Sequence, residues 1–214
     1  MTIYDKKYAL AWIENHESRR DSFRVKYLEP YLKGIIKKNL KAQILDIGCG
    51  WGTIADFVEK QEYLGIDINK HFFSYILLKN KNKKITLRKD QLPNINSVKN
   101  NKFDLVICSM VLHTTLNLKK AIKQIFSKLK DNGQVVIVDF NNDSEQKIRE
   151  GFFKKLKNTD KYSSGIYKLE SGTQLKAEVY FHKEEEIEKE IVKYSKFKKK
   201  KLGPIFFSWE CIRK

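Results

Sequence analysis

Apolar residues along this chain fall into two alternating periods. Continuous apolar runs of strand length occupy residues 43–47, 63–68, 103–109 and 134–140, with a shorter one at 85–87. Unbroken runs of this kind suit strands buried on both faces of a parallel sheet. Between them, apolar residues return every three or four positions, as an amphipathic helix requires. That spacing predicts helices over 53–58, over 70–79 with Phe72, Phe73, Ile76 and Leu77 inward, and over 117–129 with Leu118, Ala121, Ile122 and Ile125 on one face. Two more helices precede the first strand. Residues 5–16 bring Tyr8, Ala9 and Trp12 together, and residues 22–38, with Ser22 as cap, carry Tyr27, Leu28, Tyr31, Leu32, Ile35 and Ile36 at helical intervals. Pro30 falls inside the second and predicts a kink. After residue 140 the regular alternation breaks. Residues 144–156 suggest a helix, 183–192 an acidic helix, and 194–202 and 205–212 a closing strand pair joined at Gly203-Pro204. Strands alternating with helices imply an α/β fold on a mostly parallel sheet.

The stretch with the most chemistry is Ile44-Leu45-Asp46-Ile47-Gly48-Cys49-Gly50-Trp51-Gly52, a strand, a glycine loop and a helix start. Glycines serve where φ is positive or a ligand lies against the main chain. The dinucleotide fingerprint wants its third glycine three places after the second. Here Gly52 follows Gly50 by two, and Thr53 holds the third place. Asp46, ahead of the loop, suits a ligand with a cationic end better than a pyrophosphate. The second strand ends in Asp67, 17 residues beyond Gly50. An acid there stands where a ribose diol can be held by two hydrogen bonds. A cap on the helix at Lys70 would use the same acid. The third strand leads into Arg88-Lys89-Asp90-Gln91-Leu92-Pro93, and the fourth into Ser109-Met110-Val111-Leu112-His113. Ligands of open α/β sheets bind beyond the carboxyl ends of strands, so Ser109, Met110, His113 and Asp139 point towards a site.

Composition narrows the class. The 214 residues are 41% hydrophobic and 12% aromatic, enough for a globular core. No apolar run is long enough for a bilayer, and the N-terminus has no signal-peptide core, so a cytoplasmic protein is expected. Cys49, Cys108 and Cys211 form no CxxC pair, which suits reduced thiols, two of them buried, and no metal site is expected. The net charge of +17 favours anionic partners, but the lysines are spread along the chain, as compositional bias also produces.

The loop Asp46-Ile47-Gly48-Cys49-Gly50-Trp51-Gly52 resembles the first motif of the class I S-adenosylmethionine-dependent methyltransferases, with later motifs in register. The resemblance covers nearly the whole chain, least closely before residue 43 and over 141–177. It implies a Rossmann-like, seven-stranded, mostly parallel sheet with helices on both faces and a C-terminal antiparallel strand pair. It implies one domain over 1–214: a helical cap (1–42), a cofactor-binding core (43–140), a substrate-side segment (141–182), and a helix with closing strands (183–214). It implies S-adenosyl-L-methionine as cofactor and S-adenosyl-L-homocysteine as product. The residues matching cofactor positions are Asp46, Gly48, Cys49, Gly50, Gly52, Asp67, Ile68, Asp90, Gln91, Ser109 and Met110, with Asp90 placed to accept from the adenine amino group. The N-terminal helices would close over the cofactor, and Arg19, Arg20 or Arg24 would reach its methionine carboxylate; ordinary solvated surface explains them too. Asp139, Tyr180 and His182 fall near the acceptor pocket.

His113 is the first candidate for a general base, because an unperturbed imidazole titrates near neutrality. It would serve equally as a pocket wall or a hydrogen-bond donor. The fourth strand is not followed by the Asn/Asp-Pro-Pro-aromatic sequence of adenine-amino methyltransferases, nor is Cys108 preceded by the proline of cytosine-carbon ones. The paired glutamates of the protein-arginine branch are also absent. A small-molecule methyl acceptor remains. The alternative is an RNA methyltransferase or RNA-binding protein on the same fold, with Lys196-Phe197-Lys198-Lys199-Lys200-Lys201 supplying phosphate contacts. An edge strand guarded by lysines accounts for the same run.

Overall fold

The computed structural model describes residues 5–18, 22–169 and 172–213. In chain order the elements are α1 (Lys6–Glu17), α2 (Glu29–Lys38), β1 (Gln43–Ile47), α3 (Thr53–Phe57), β2 (Glu62–Asp67), α4 (Phe73–Lys79), β3 (Ile85–Lys89), β4 (Phe103–Ser109), α5 (Leu118–Ser127), β5 (Leu129–Phe140), α6 (Glu145–Glu150), β6 (Phe152–Thr159), β7 (Tyr162–Lys168), β8 (Gln174–Tyr180), α7 (Glu184–Ile191), β9 (Ser195–Leu202) and β10 (Phe206–Arg213). Seven strands form one sheet in the order β3-β2-β1-β4-β5-β10-β9. The first five are parallel, and β10 runs antiparallel to both β5 and β9. This is the Rossmann-like sheet with the closing strand pair that the resemblance implied.

Burial explains why the central strands read as unbroken apolar runs. Side chains of β1, β4 and β5 alternate between two cores. On one face Leu45, Val106 and Ile137 pack under α5, α7 and the loop bearing Leu92, Ile95 and Val98. On the other, Ile44, Ile107 and Val136 pack under α1, α2 and α3. Trp209 of β10 is fully buried, its indole N–H donating to Glu188 of α7 at 3.2 Å. Strand order reverses between β1 and β4, so a crevice opens beyond their carboxyl ends, where open α/β sheets take ligands. Among the described residues no helix is long and apolar enough to cross a membrane.

Four expectations need correction. The helix expected over 144–156 stops at Glu150, and β6, β7 and β8 form a separate antiparallel three-stranded sheet. The pattern hid it because the buried centre of β7 is Ser163, Ser164 and Gly165, which carry no hydrophobic alternation. The kink expected at Pro30 is instead a π-helical turn, Arg24–Leu28, running straight into α2. Pro30 lies in the first turn of α2, where a missing N–H costs least. The strand expected from 134 begins at Leu129. Its register skips from Leu129 to Gln134, with Asn132 at φ 61° in the excursion between. All three cysteines are buried, not two, because Cys211 faces the core from β10.

Burial pushes the thiols of Cys49 and Cys108 well above their ordinary range and that of Cys211 up to about 12. The thiolate is the reactive form. The native protein should therefore give no rapid reaction with a disulfide reagent, and three equivalents after denaturation. One fast equivalent in the native protein would contradict this packing.

Candidate functional site

At the carboxyl end of β1 the chain turns through Gly48, Gly50 and Gly52, with φ of 71°, 50° and 90°. The amides of Gly48 and Cys49 both donate to the Ile66 carbonyl, at 2.8 and 3.0 Å, tying the loop to β2. A Cβ on Gly48 would stand 2.3 Å from Val111, and one on Gly52 2.7 Å from Ile76. Gly50 differs, because nothing lies within 4 Å of where its Cβ would be. Open space beside a left-handed glycine is room for a ligand against the main chain.

Asp67 closes the loop from the second strand. Its Oδ2 accepts from the Gly50 amide and its Oδ1 from the Asn69 amide, both at 2.8 Å. Burial raises its pKa, although these N–H groups pull the other way. A carboxylate offers about four acceptor positions, so two remain for a diol. Asp67 does not cap the following helical turn. Asn69 does so, accepting from the His71 amide at 3.0 Å. Ile68, between them, is half-buried.

Asp46 lies deeper. It is 2% exposed, and its Oδ2 accepts from the Tyr63 hydroxyl at 2.7 Å. Burial raises its pKa to about 7, against the opposing hydrogen bond from Tyr63. A raised folded-state pKa means that the fold favours the protonated acid. That contribution is fully present below the unfolded value of 3.8 and is lost as pH rises through about 7. Asp46→Asn should therefore be tolerated at neutral pH and should flatten the decline in stability across this window. Urea unfolding at several pH values would check it, and a slope as steep as that of the wild type would refute it.

Asp90 shapes its own loop. Its carboxylate accepts from the amides of Gln91, Asn96 and Ser97, at 2.9, 3.0 and 2.7 Å. Its amide donates to the Asp67 carbonyl at 3.1 Å, linking two acid-bearing strand ends. Beyond β4, the hydroxyl oxygen of Ser109 is buried without a partner. Met110 sits at φ 61°, an uncommon conformation for a side-chain-bearing residue and one that concentrates at functional sites.

The second polar centre joins β4 to β5. His113 lies in the single helical turn Leu112–Thr114. Its Nδ1 is 2.8 Å from Asp139 Oδ1, and its amide donates to Asp139 Oδ2 at 3.1 Å. The Phe140 amide also donates to Oδ1, at 2.8 Å. Burial alone would raise the Asp139 pKa, but the imidazole beside it and these N–H groups hold it below the ordinary carboxylate value. Because a carboxylate only accepts, Nδ1 carries a proton and the neutral ring keeps its lone pair on Nε2. The Asp139 side chain is 5% exposed and that of His113 17%, so the acid is sealed while the ring reaches the cleft.

That cleft is narrow, with about 30 Å³ of accessible space, and it also brings in Tyr180 and His182. His182 Nε2 is 2.7 Å from the Thr115 carbonyl, so this nitrogen carries the proton. Tyr180 packs its ring on Tyr162, with centroids 5.0 Å apart. The structure thus gathers His113, Asp139, Tyr180 and His182 around one opening, while the loop, Asp67 and Ser109 lie at the neighbouring strand ends.

Sequence reasoning missed the aromatic stack that fastens α1 over the glycine loop. Trp51 stacks on Trp12 of α1, with centroids 5.6 Å apart and planes 15° from parallel. Arg24 lies 5.0 Å above the same indole. The side-chain Nδ2 of Asn69 donates to the Asp5 carbonyl at 3.2 Å, and the Tyr75 hydroxyl to Glu17 at 2.9 Å, so α1 is fastened at both ends. The available signal was a tryptophan inside the loop itself. Arg19 and Arg20 lie outside the described residues.

A family model for the methyltransferase domain matches residues 20–179. An uncharacterized protein of Methanocaldococcus jannaschii is 30% identical over 178 residues, covering 76% of this chain and 72% of its own length. In fold the chain is similar to an S-adenosylmethionine-dependent methyltransferase of Clostridium acetobutylicum, with TM-score 0.69 and 15% identity over 98% of this chain and 99% of that one. It is similar also to 1,6-didemethyltoxoflavin-N1-methyltransferase of Burkholderia thailandensis, solved with 1,6-didemethyltoxoflavin and S-adenosylhomocysteine (TM-score 0.57, 13% identity, 96% and 87% coverage).

Proposed function

This chain belongs to the class I S-adenosylmethionine-dependent methyltransferases, and on that premise we propose that it methylates a small-molecule acceptor held in the cleft beside His113. The observation that carries the reading is the juxtaposition at the switch point. A glycine cradle and a strand-end acid lie beside a buried Asp–His pair that faces its own cleft. The residues present fit the cofactor. Gly50 leaves open space, Asp67 keeps acceptor positions for ribose hydroxyls, and the Ser109 hydroxyl awaits a partner. Asp90 and Gln91 would flank the adenine, Met110 would line the pocket, and Arg24 would face the methionine carboxylate.

S-adenosylmethionine, when bound, supplies a methyl group already activated on sulfonium. The protein's own task is to hold the acceptor in line, exclude water and receive a proton. Orientation is worth up to ~7–11 kcal/mol in well-aligned intramolecular cases. The Trp12–Trp51 stack and α1 form a roof against water. His113 Nε2 receives the acceptor proton, and Asp139 stabilises the imidazolium that results. Tyr180 and His182 orient the acceptor from the opposite wall. The small-molecule acceptor also has support from the toxoflavin enzyme, whose bound acceptor is of that kind.

Titration calorimetry with S-adenosylmethionine and S-adenosylhomocysteine tests the reading. Micromolar binding of both is expected, and no binding of either would overturn it. The RNA reading rests on the β9 lysines. There, Lys199 pairs with Glu184 and Glu188 at 2.7 Å each, and Lys200 lies over Tyr31. This arrangement suits a guarded edge strand better than a phosphate track.

A further inference from the structure

We infer that the chain has a second binding site, a basic groove at the amino-terminal ends of its parallel strands, and that this groove takes a small molecule bearing two or more phosphate groups. The groove has about 390 Å³ of accessible space, against about 30 Å³ in the cleft beside His113. That volume lies in the range of small-molecule sites. Gln43 and Glu62, which open β1 and β2, line it with Lys84 and Lys102, which stand just ahead of β3 and β4. The glycine loop and the Asp139–His113 pair lie at the opposite, carboxyl ends of the strands.

The groove exists because one crossover has no helix. Parallel strands are joined by long connections that usually lay a helix on the sheet. The connections leaving β1, β2 and β4 carry α3, α4 and α5, whereas residues 90–102, between β3 and β4, carry none. That segment is drawn in instead. The Asp90 carboxylate gathers the amides of Asn96 and Ser97, and Lys128 Nζ donates to the carbonyls of Ile95 and Val98 at 3.0 and 2.9 Å. Leu92, Ile95 and Val98 thereby enter the core, and the strand starts beside them stay open.

One sign of charge dominates the lining. Lys84, Arg88 and Lys102 are exposed there, with Glu62 as the acid among them. Lys83 is engaged elsewhere, its Nζ donating to the carbonyls of Ala55 and Asp56. Lys79, Lys130, Lys161, Lys176, Lys193 and Lys199 each pair with a carboxylate at 3.0 Å or less. Among the described residues, Lys84, Arg88 and Lys102 pair with none. A concave surface lined by one sign of charge concentrates ions of the other. Arg88 is also held in place, donating from one N–H to the Ser97 carbonyl. A guanidinium has five N–H donors in a planar fork, so an edge suited to phosphate remains.

The floor decides the kind of anion. Leu64 is 9% exposed and Phe103 3%, with the Lys102 ammonium 5.8 Å from the Phe103 ring centroid. No apolar hollow is open to anchor a protein side chain, and no ring face is open to stack a base. Several cations around a polar hollow suit a compact ligand of several negative charges, and recognition falls on its phosphates.

Calorimetry with inorganic tripolyphosphate, with and without saturating S-adenosylhomocysteine, tests this at ~150 mM salt, where diffuse attraction is largely screened. One saturable site per chain is expected in both conditions, with inorganic monophosphate at least about tenfold weaker. Arg88→Gln/Lys102→Gln should lower tripolyphosphate affinity by at least about tenfold, as the loss of charge-assisted bonds implies. Lys84→Gln should lower it several-fold. Lys196→Gln/Lys198→Gln removes as much charge from β9, at the other edge of the sheet, and should change affinity less than twofold. Absence of saturable binding, monophosphate binding as tightly, or equal losses in the two double variants would overturn the inference, the last by showing only general attraction to a chain of net charge +17. Displacement of tripolyphosphate by S-adenosylhomocysteine would overturn it too, by placing the anion at the glycine loop. None of these results touches the cofactor reading, which rests on the binding of S-adenosylhomocysteine itself.

Discussion

Asp67→Ala should weaken S-adenosylhomocysteine binding by about 10²- to 10⁴-fold, taking two hydrogen bonds to a charged group at about 1.5–3 kcal/mol each. The carboxylate's position gives it two duties. It accepts from the Gly50 amide, which fixes the open glycine, and from the Asn69 amide, which starts the helical turn before α4. Its remaining acceptor positions face the place where a ribose belongs. Alanine removes the ribose contacts and also leaves two backbone N–H groups without their acceptor, so both affinity and loop order should suffer. Asp67→Asn separates these duties. Its single carbonyl oxygen can keep one loop contact but cannot accept from both sides, so its loss should be smaller. Calorimetry on both variants, with far-ultraviolet dichroism to confirm the fold, checks this. Alanine-variant affinity within threefold of wild type would remove Asp67 from the cofactor site.

Much of this was legible in the chain because the central strands are buried on both faces. Residues 103–109 read as a parallel strand since Leu105, Val106, Ile107 and Cys108 are all fully buried. Asp67 and Asp139 stood out because each comes at the carboxyl end of such a run. What stayed hidden depends on partners distant in sequence. The strands β6 to β8 hold one another through main-chain ladders; β7 has small polar residues at its centre and so no apolar period, and the alternation of Leu175, Ala177 and Val179 in β8 had no patterned neighbour to pair with. The Asp139–His113 pair spans 26 residues, and only the folded sheet brings the end of β5 under the turn after β4. The direction of Asp46 was equally unreadable. Spacing placed it next to the loop, but the Tyr63 hydroxyl that engages it comes from the neighbouring strand.

His113→Gln should lower kcat by about 10²- to 10⁴-fold with the acceptor that turns over, the usual contribution of a positioned acid–base group. Glutamine retains bulk and hydrogen bonding but cannot take a proton, so S-adenosylhomocysteine affinity should stay within about twofold. Asp139→Asn should act in the same direction for another reason. An asparagine can turn its N–H towards Nδ1, and the neutral imidazole then carries its proton on the wrong nitrogen. The substitution also removes a stability term of definite sign. Asp139 is held below its ordinary pKa in the fold, so its contribution is present above the unfolded value of 3.8 and is lost as pH falls through the lower folded one. The asparagine variant should therefore lose stability at neutral pH yet approach the wild type in acid. A merely structural carboxylate would reproduce that stability change but would leave the His113 tautomer unmoved. Single-turnover rates and histidine NMR on the two variants separate the roles. Full turnover by His113→Gln would show that the methyl acceptor needs no base here.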